Sequence, residues 1–242
     1  MQAITPGFRI QRRAVLSLPA LAAFAGVASA TPIAADEESS EVPLAFGAFA
    51  QRCEELAAAH LDGGRIDADV YVQRLATLGA RLAGDTLPEI QLRDFGGFDL
   101  PVRSAPAHLA SPMIIIQWRL APGAVLPPHN HTPGYVFSLC LEGQCWVRHF
   151  EIVGDAPAPG AEGLFHMRKT MAKLLRPGLG SSLTQARDNI HTFQAGPEGA
   201  MGIDINTFLP GDGDWSMLKY EEGKREGFTK LYDARWTGKP GQ

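Results

Sequence analysis

The sequence predicts a mainly β domain, an antiparallel sandwich or barrel, preceded by two short helices. Three observations predict it. From about Pro101 onward the chain runs in short apolar and β-branched stretches separated by Gly, Pro and Asp, as in sheet-rich domains. No helical pattern interrupts these stretches, which argues against a parallel α/β fold. Ahead of them, between Leu44 and Leu82, apolar residues recur at three- and four-residue spacing instead. With 242 residues, 45% hydrophobic and 20% charged, the chain belongs among ordinary globular proteins, and one compact domain is the economical reading.

Residues 1–30 read as a secretory signal of the twin-arginine type. Arg12 and Arg13 precede an apolar stretch through Leu16, Leu21 and Phe24 that ends at Ala28-Ser29-Ala30, a small-residue cleavage site. An uncleaved membrane anchor is the alternative. The stretch is short for a bilayer span, is rich in weakly apolar Ala and is broken by Pro19, so cleavage and no stable membrane insertion are expected. A periplasmic or secreted protein follows. Twin-arginine export carries folded proteins, which suits a metalloprotein loaded before it meets competing metals outside.

Residues 31–43 are acidic, with Ser and Pro and no apolar period, and read as a flexible linker. Residues 44–90 hold the helical segment, expected to pack on the barrel. Leu44 to His60 places Phe46, Phe49, Cys53, Leu56 and Ala57 on one face, and Asp67 to Leu82 does the same with Val70, Val72, Leu75, Leu78 and Leu82. Residues 91–242 form the β domain. Its clearest strands are Met113 to Leu120, Tyr135 to Leu141, Gln144 to Ile152, Ile190 to Ala195 and Met201 to Phe208.

The formal net charge is −4, and the part beyond Ala30 holds 19 basic and 26 acidic side chains, near −7. No basic run or basic-aromatic patch is present, so neither nucleic acid nor an anionic membrane surface is an expected partner. Three cysteines are too few for a disulfide-stapled scaffold of this size. Cys140 and Cys145 flank Leu141-Glu142-Gly143-Gln144, which reads as a hairpin loop. A bridge across that loop and two buried free thiols are equally compatible with the sequence.

The chemistry lies in Gly123-Ala-Val-Leu-Pro-Pro-His129-Asn-His131 and in Asn189-Ile-His191-Thr-Phe193. Two histidines at i and i+2 on a strand project from one face, so both imidazoles can reach one metal. His191, 60 residues later at the start of another strand, supplies a third. Three neutral imidazoles suit Fe(II), Mn, Ni, Cu or Zn and leave open positions for substrate and oxygen.

The frame of Gly123, His129, His131 and Gly143 resembles the first motif of the cupin superfamily, Gly-x5-His-x-His-x3-4-Glu-x6-Gly. At the position of the family's glutamate this chain has Tyr135 or Val136, so the carboxylate ligand is missing. Keeping the histidines without the glutamate is similar to the thiol dioxygenase branch. Within it, His129-Asn-His131, Val136-Phe137-Ser138, Leu141, Gly143 and Asn189-Ile-His191-x-Phe193 resemble the plant cysteine oxidase and cysteamine dioxygenase group. The resemblance covers roughly residues 44–220 and implies a cupin-type antiparallel double-stranded β-helix, a jelly-roll barrel. It also implies Fe(II) held by His129, His131 and His191.

The implied reaction oxidises a thiol to a sulfinic acid with O2, the substrate being a small thiol or a peptide with an N-terminal cysteine. The resemblance places a supporting carboxylate at Asp204, set between Ile203 and Ile205, where an inward-facing acid needs a partner. It departs from the group at Leu209-Pro210-Gly211-Asp212, in place of Pro-Pro-Tyr, and in lacking its Cys-x-Tyr segment; Trp215 and Tyr220 are the nearest aromatics. A homodimer is expected by analogy with other cupins. The rival readings are a cupin dioxygenase acting on a carbon substrate and a non-catalytic metal-binding cupin, a periplasmic ligand sensor or store.

The other histidines carry less. His60 ends a helix, His108 lies in a Pro-Ala loop, and His149 is on a strand whose alternation leaves its direction open. Arg119 and Arg148 are candidates for a substrate carboxylate, or else solvated surface residues.

Overall fold

The computed structural model describes residues 42–62, 66–94, 100–131, 133–185, 189–211, 215–226 and 229–238. The signal segment and nearly all of the linker lie outside the described residues. Two helices, α1 (Phe46–Leu61) and α2 (Ala68–Ala80), precede ten strands. These are β1 (Arg93–Asp94), β2 (Val102–Ala110), β3 (Met113–Leu120), β4 (Val125–Asn130) and β5 (Gly134–Val153), followed by β6 (Phe165–Leu175), β7 (Gly180–Leu183), β8 (Ile190–Phe208), β9 (Met217–Glu226) and β10 (Thr229–Gly238). Among the described residues no helix is long and apolar enough to cross a membrane.

All strand pairings are antiparallel, in the order β1-β2-β3-β8-β4-β9-β10-β6-β5-β7. Because β5 also pairs with β8, the path β8-β4-β9-β10-β6-β5 returns to its start and closes a barrel. The expected antiparallel β-barrel with two preceding helices is the architecture the chain adopts. Closure leaves no bare edge inside the ring.

The two helices cover one outer face of this barrel. Phe49, Cys53 and Ala57 of α1 and Tyr71 and Leu75 of α2 are fully buried against Met113, Ile115, Phe137, Ile203 and Ile205. The spacing reading of α1 holds, whereas in α2 Val70 is 41% exposed and Tyr71 takes the inward place. Val72 and Leu75 keep their expected inward places, and Asp67 caps the helix start by accepting from the amides of Asp69 (2.8 Å) and Val70 (3.4 Å). Tyr71 then reaches the barrel, its hydroxyl 2.5 Å from Thr207 Oγ1 on β8.

The expected hairpin at Gly143 is not formed. β5 runs unbroken through that position, and the two strands expected at Ile190 to Ala195 and Met201 to Phe208 are likewise one strand, β8. Gly143 (φ +64°) pairs with Ala200, next to Gly199 (φ +82°), where the β5–β8 register shifts. A Cβ on Gly143 would stand 2.2 Å from the Gly199 carbonyl oxygen. The glycines therefore mark a shared bulge that bends both strands instead of a reversal. Cys140 and Cys145 consequently lie along one strand, free and buried in the same cluster with Trp118, Val147, Leu175 and Phe193.

Candidate metal centre

Antiparallel register puts three histidines in a row. His129 on β4 is the ladder partner of His191 on β8, and His191 is the partner of His149 on β5. Directly opposed residues share a face, so the three rings project together. His131 joins them from one residue beyond the end of β4.

The nitrogens of the predicted ligands converge. His191 Nε2 is 2.9 Å from His131 Nε2 and 3.1 Å from His129 Nε2. Their ring centroids lie 4.6–4.9 Å apart. Among the described residues His129, His131 and His191 are the group of His, Cys, Asp or Glu side chains whose atoms could hold a metal, and it contains no carboxylate. Val136 is buried in the wall, and the Tyr135 ring packs toward the helices, 5.2 Å from His60 and 6.0 Å from Tyr71.

Local sequence explains how His129 is aimed. Pro127 and Pro128 have no amide to donate, and the β4–β8 register shifts across them, between Leu126 and His129. The Pro127 carbonyl, released from the ladder, lies 2.8 Å from His129 Nδ1. As the carbonyl can only accept, Nδ1 carries the proton and the Nε2 lone pair faces the other rings. Thr192 pins β8 to β4 at this point, donating from Oγ1 to the Leu126 carbonyl at 2.7 Å.

Burial keeps the imidazoles neutral. It lowers the pKa of His129 to about 4, and it holds those of His131 and His191 well below the usual histidine range, with each ring disfavouring charge on the next. Three neutral, inward-facing nitrogens from two strands and a strand end fit a first-row divalent ion.

His149 is the residue that sequence reasoning undervalued. It is 1% exposed and its ring centroid is 6.2 Å from that of His191. Alternation alone left its direction open; the β5–β8 register is the signal that fixes it.

Asp204 is half-buried and is not among the side chains whose atoms converge at the triad. Its Oδ1 accepts from the Trp118 indole at 2.8 Å, and Phe193 lies between this pair and the metal ligands, its ring 5.5 Å from Trp118 and 4.6 Å from His191. Burial raises the Asp204 pKa to about 6, partly offset by hydrogen bonding. Gly202 makes room for this arrangement, since a Cβ there would fall 2.5 Å from Trp118 Cζ2.

The remaining candidates are engaged elsewhere. Arg119 pairs with Glu142 at the surface (3.1 Å), and Arg148 donates to Gln194 (3.2 Å). His108, expected in a loop, lies on β2 and contacts Glu54 of α1; His166 pairs with Asp233 at 3.0 Å. His60 is buried and stacks on Tyr71, and Tyr220 packs against Phe150 and Tyr232.

No protein family and no curated protein matches the sequence. Solved structures of similar shape include KdgF from a Halomonas species, 14% identical over 50% of this chain and 89% of that one, with a TM-score of 0.35. A protein with a double-stranded β-helix domain from Klebsiella pneumoniae is 13% identical over 56% and 93% of the two chains (TM-score 0.35). An RmlC-like cupin from Shewanella frigidimarina is 16% identical over 50% and 86% (TM-score 0.35). At that level of likeness the metal centre stands on its own residues.

Proposed function

We propose that the protein is an iron(II)-dependent dioxygenase that oxidises a thiol to a sulfinic acid. The observation that carries this reading is the triad itself: His131 Nε2 and His129 Nε2 lie 2.9 and 3.1 Å from His191 Nε2, all three rings are neutral, and the set holds no carboxylate. An all-nitrogen site of three ligands would leave open positions on a bound ion and matches the donor set of the resembled thiol dioxygenases. Bound iron(II) would supply a place where a thiolate and O2 meet, the overall change being RSH + O2 to RSO2H.

The chain's own residues set the conditions for that change. His129, His131 and His191 hold the ion, and the Pro127 carbonyl fixes the His129 tautomer. His131 is partly exposed while His129 and His191 are buried, so substrate reaches the ion on the His131 side. Phe193 and Trp118 close the opposite side with apolar rings and exclude water. Asp204 supports that wall by accepting from the Trp118 indole, and it acts on the site only through the intervening rings.

Oxygen uptake tests the reading. Iron-loaded protein is expected to consume one O2 per thiol with cysteine, cysteamine or a peptide bearing an N-terminal cysteine, and the product should gain two oxygen atoms by mass. Absence of uptake with all three contradicts it. The same proposal places the working protein outside the cytoplasm, with residues 1–30 removed, which the mass of the mature N-terminus in a periplasmic fraction checks.

A further inference from the structure

His129 and His191 have their main chains inside a β-ladder, each the other's partner. His131 does not. It follows Asn130, the last residue of β4, so its N–H and C=O must find partners outside the sheet. Two side-chain amides meet them. The His131 N–H donates to Asn189 Oδ1 at 3.2 Å, and Gln185 Nε2 donates to the His131 carbonyl at 3.2 Å.

Gln185 reaches further. The same Nε2 donates to the Gly134 carbonyl at 2.8 Å, at the start of β5, so one amide spans the crossing from the ligand into the next strand. Both acceptors are carbonyl oxygens, so only the NH2 end of Gln185 serves there. Asn189 acts with its oxygen instead, and it precedes the ligand His191 by two residues. The segment that delivers one ligand therefore grips the backbone of another.

Resting on the reading of the triad as a metal centre, we propose that Gln185 and Asn189 are positioning residues that clamp the main chain of His131 and so set its ring in the ligand group. They touch neither metal nor substrate. Their chemistry differs in a way that a merely space-filling role would not: the clamp needs an acceptor at position 189 and a donor at 185.

Cobalt(II) titration of full-length, metal-free protein tests this, since the cobalt absorption bands report ligand geometry as well as occupancy. Asn189→Ala and Gln185→Ala are each expected to weaken cobalt binding by about tenfold to a hundredfold and to alter the bands. Asn189→Asp, which keeps the acceptor, should restore near-parental affinity and bands. Gln185→Glu, which loses the donor and faces two carbonyls, should bind no better than Gln185→Ala. Metal-free unfolding midpoints should stay near the parent in all four, because the bonds lie at a partly exposed strand end.

Parental affinity in both alanine variants, or an Asn189→Asp variant no better than Asn189→Ala, overturns the clamp. The His191→Ala variant reports on the centre itself. If it loses cobalt while the amide variants keep it, the clamp alone fails; if it binds cobalt as the parent does, the metal-centre reading fails and the clamp with it.

Discussion

His149 stands directly across the β5–β8 ladder from His191, with both rings buried and their centroids 6.2 Å apart. The row of His129, His191 and His149 across three strands holds four imidazoles near one point once His131 is counted, yet only three bring their nitrogens together. His149→Gln is therefore expected to retain the parental metal content, whereas His129→Ala, His131→Ala and His191→Ala each lose it. Metal analysis of the four variants, purified side by side, checks the distinction.

The pH dependence of stability in the metal-free protein has two opposed parts. The folded-state pKa of His129 is lowered from 6.5 to about 4, with His131 and His191 displaced the same way. As pH falls from 6.5 toward 4, the unfolded chain gains protons that the native state refuses, and stability falls by up to about 1.4 kcal/mol per pH unit for each proton of difference.

Asp204 works in the other direction. Its pKa is raised from 3.8 to about 6, so its contribution is fully present below 3.8 and is lost as pH rises through 6. Replacing Asp204 with Asn, which keeps an acceptor for the Trp118 indole, should steepen the net rise of stability between pH 4 and 6. Urea midpoints measured across that range on chelator-treated protein show it; an unchanged slope contradicts the assignment.

The bulge shared by Gly143 and Gly199 makes a strong stability prediction. Gly143→Ala adds a Cβ 2.2 Å from a backbone oxygen at a residue with φ +64°, and should cost more than about 1 kcal/mol. Gly178→Ala, at φ +84° but with open space around its Cβ, carries the conformational cost without the collision and should be milder. Denaturant unfolding of the pair separates the two effects.

Cys53, Cys140 and Cys145 are all free and fully buried. A thiol reagent should therefore label none of them in the native protein and all three after denaturation without reductant. One labelled thiol under those conditions would mean a Cys140–Cys145 bridge, the alternative that the sequence left open.

Much of the site was legible because its signals are local. Strand geometry alone puts the i, i+2 pair His129 and His131 on one face, the Gly123 frame and the Asn189-Ile-His191 element are read through the family resemblance, and the structure brings the three histidines together. The two helices were equally plain from their spacing, apart from the first turn of α2, where Tyr71 and not Val70 is buried. What escaped depends on pairing between distant segments. Gly143 reads as a hairpin residue until it is known to pair with Ala200 beside Gly199, and His149 has no direction until β5 and β8 are in register. Gln185 carries no signal of its own, and the grip of Asn189 on the His131 backbone comes from where β4 happens to end.

The most direct test of the central claim is metal analysis of anaerobically purified protein beside its His191→Ala variant. About one iron per chain in the parent, lost in the variant, is the predicted result for a three-imidazole centre. Zinc in place of iron, or iron that survives the substitution, contradicts it.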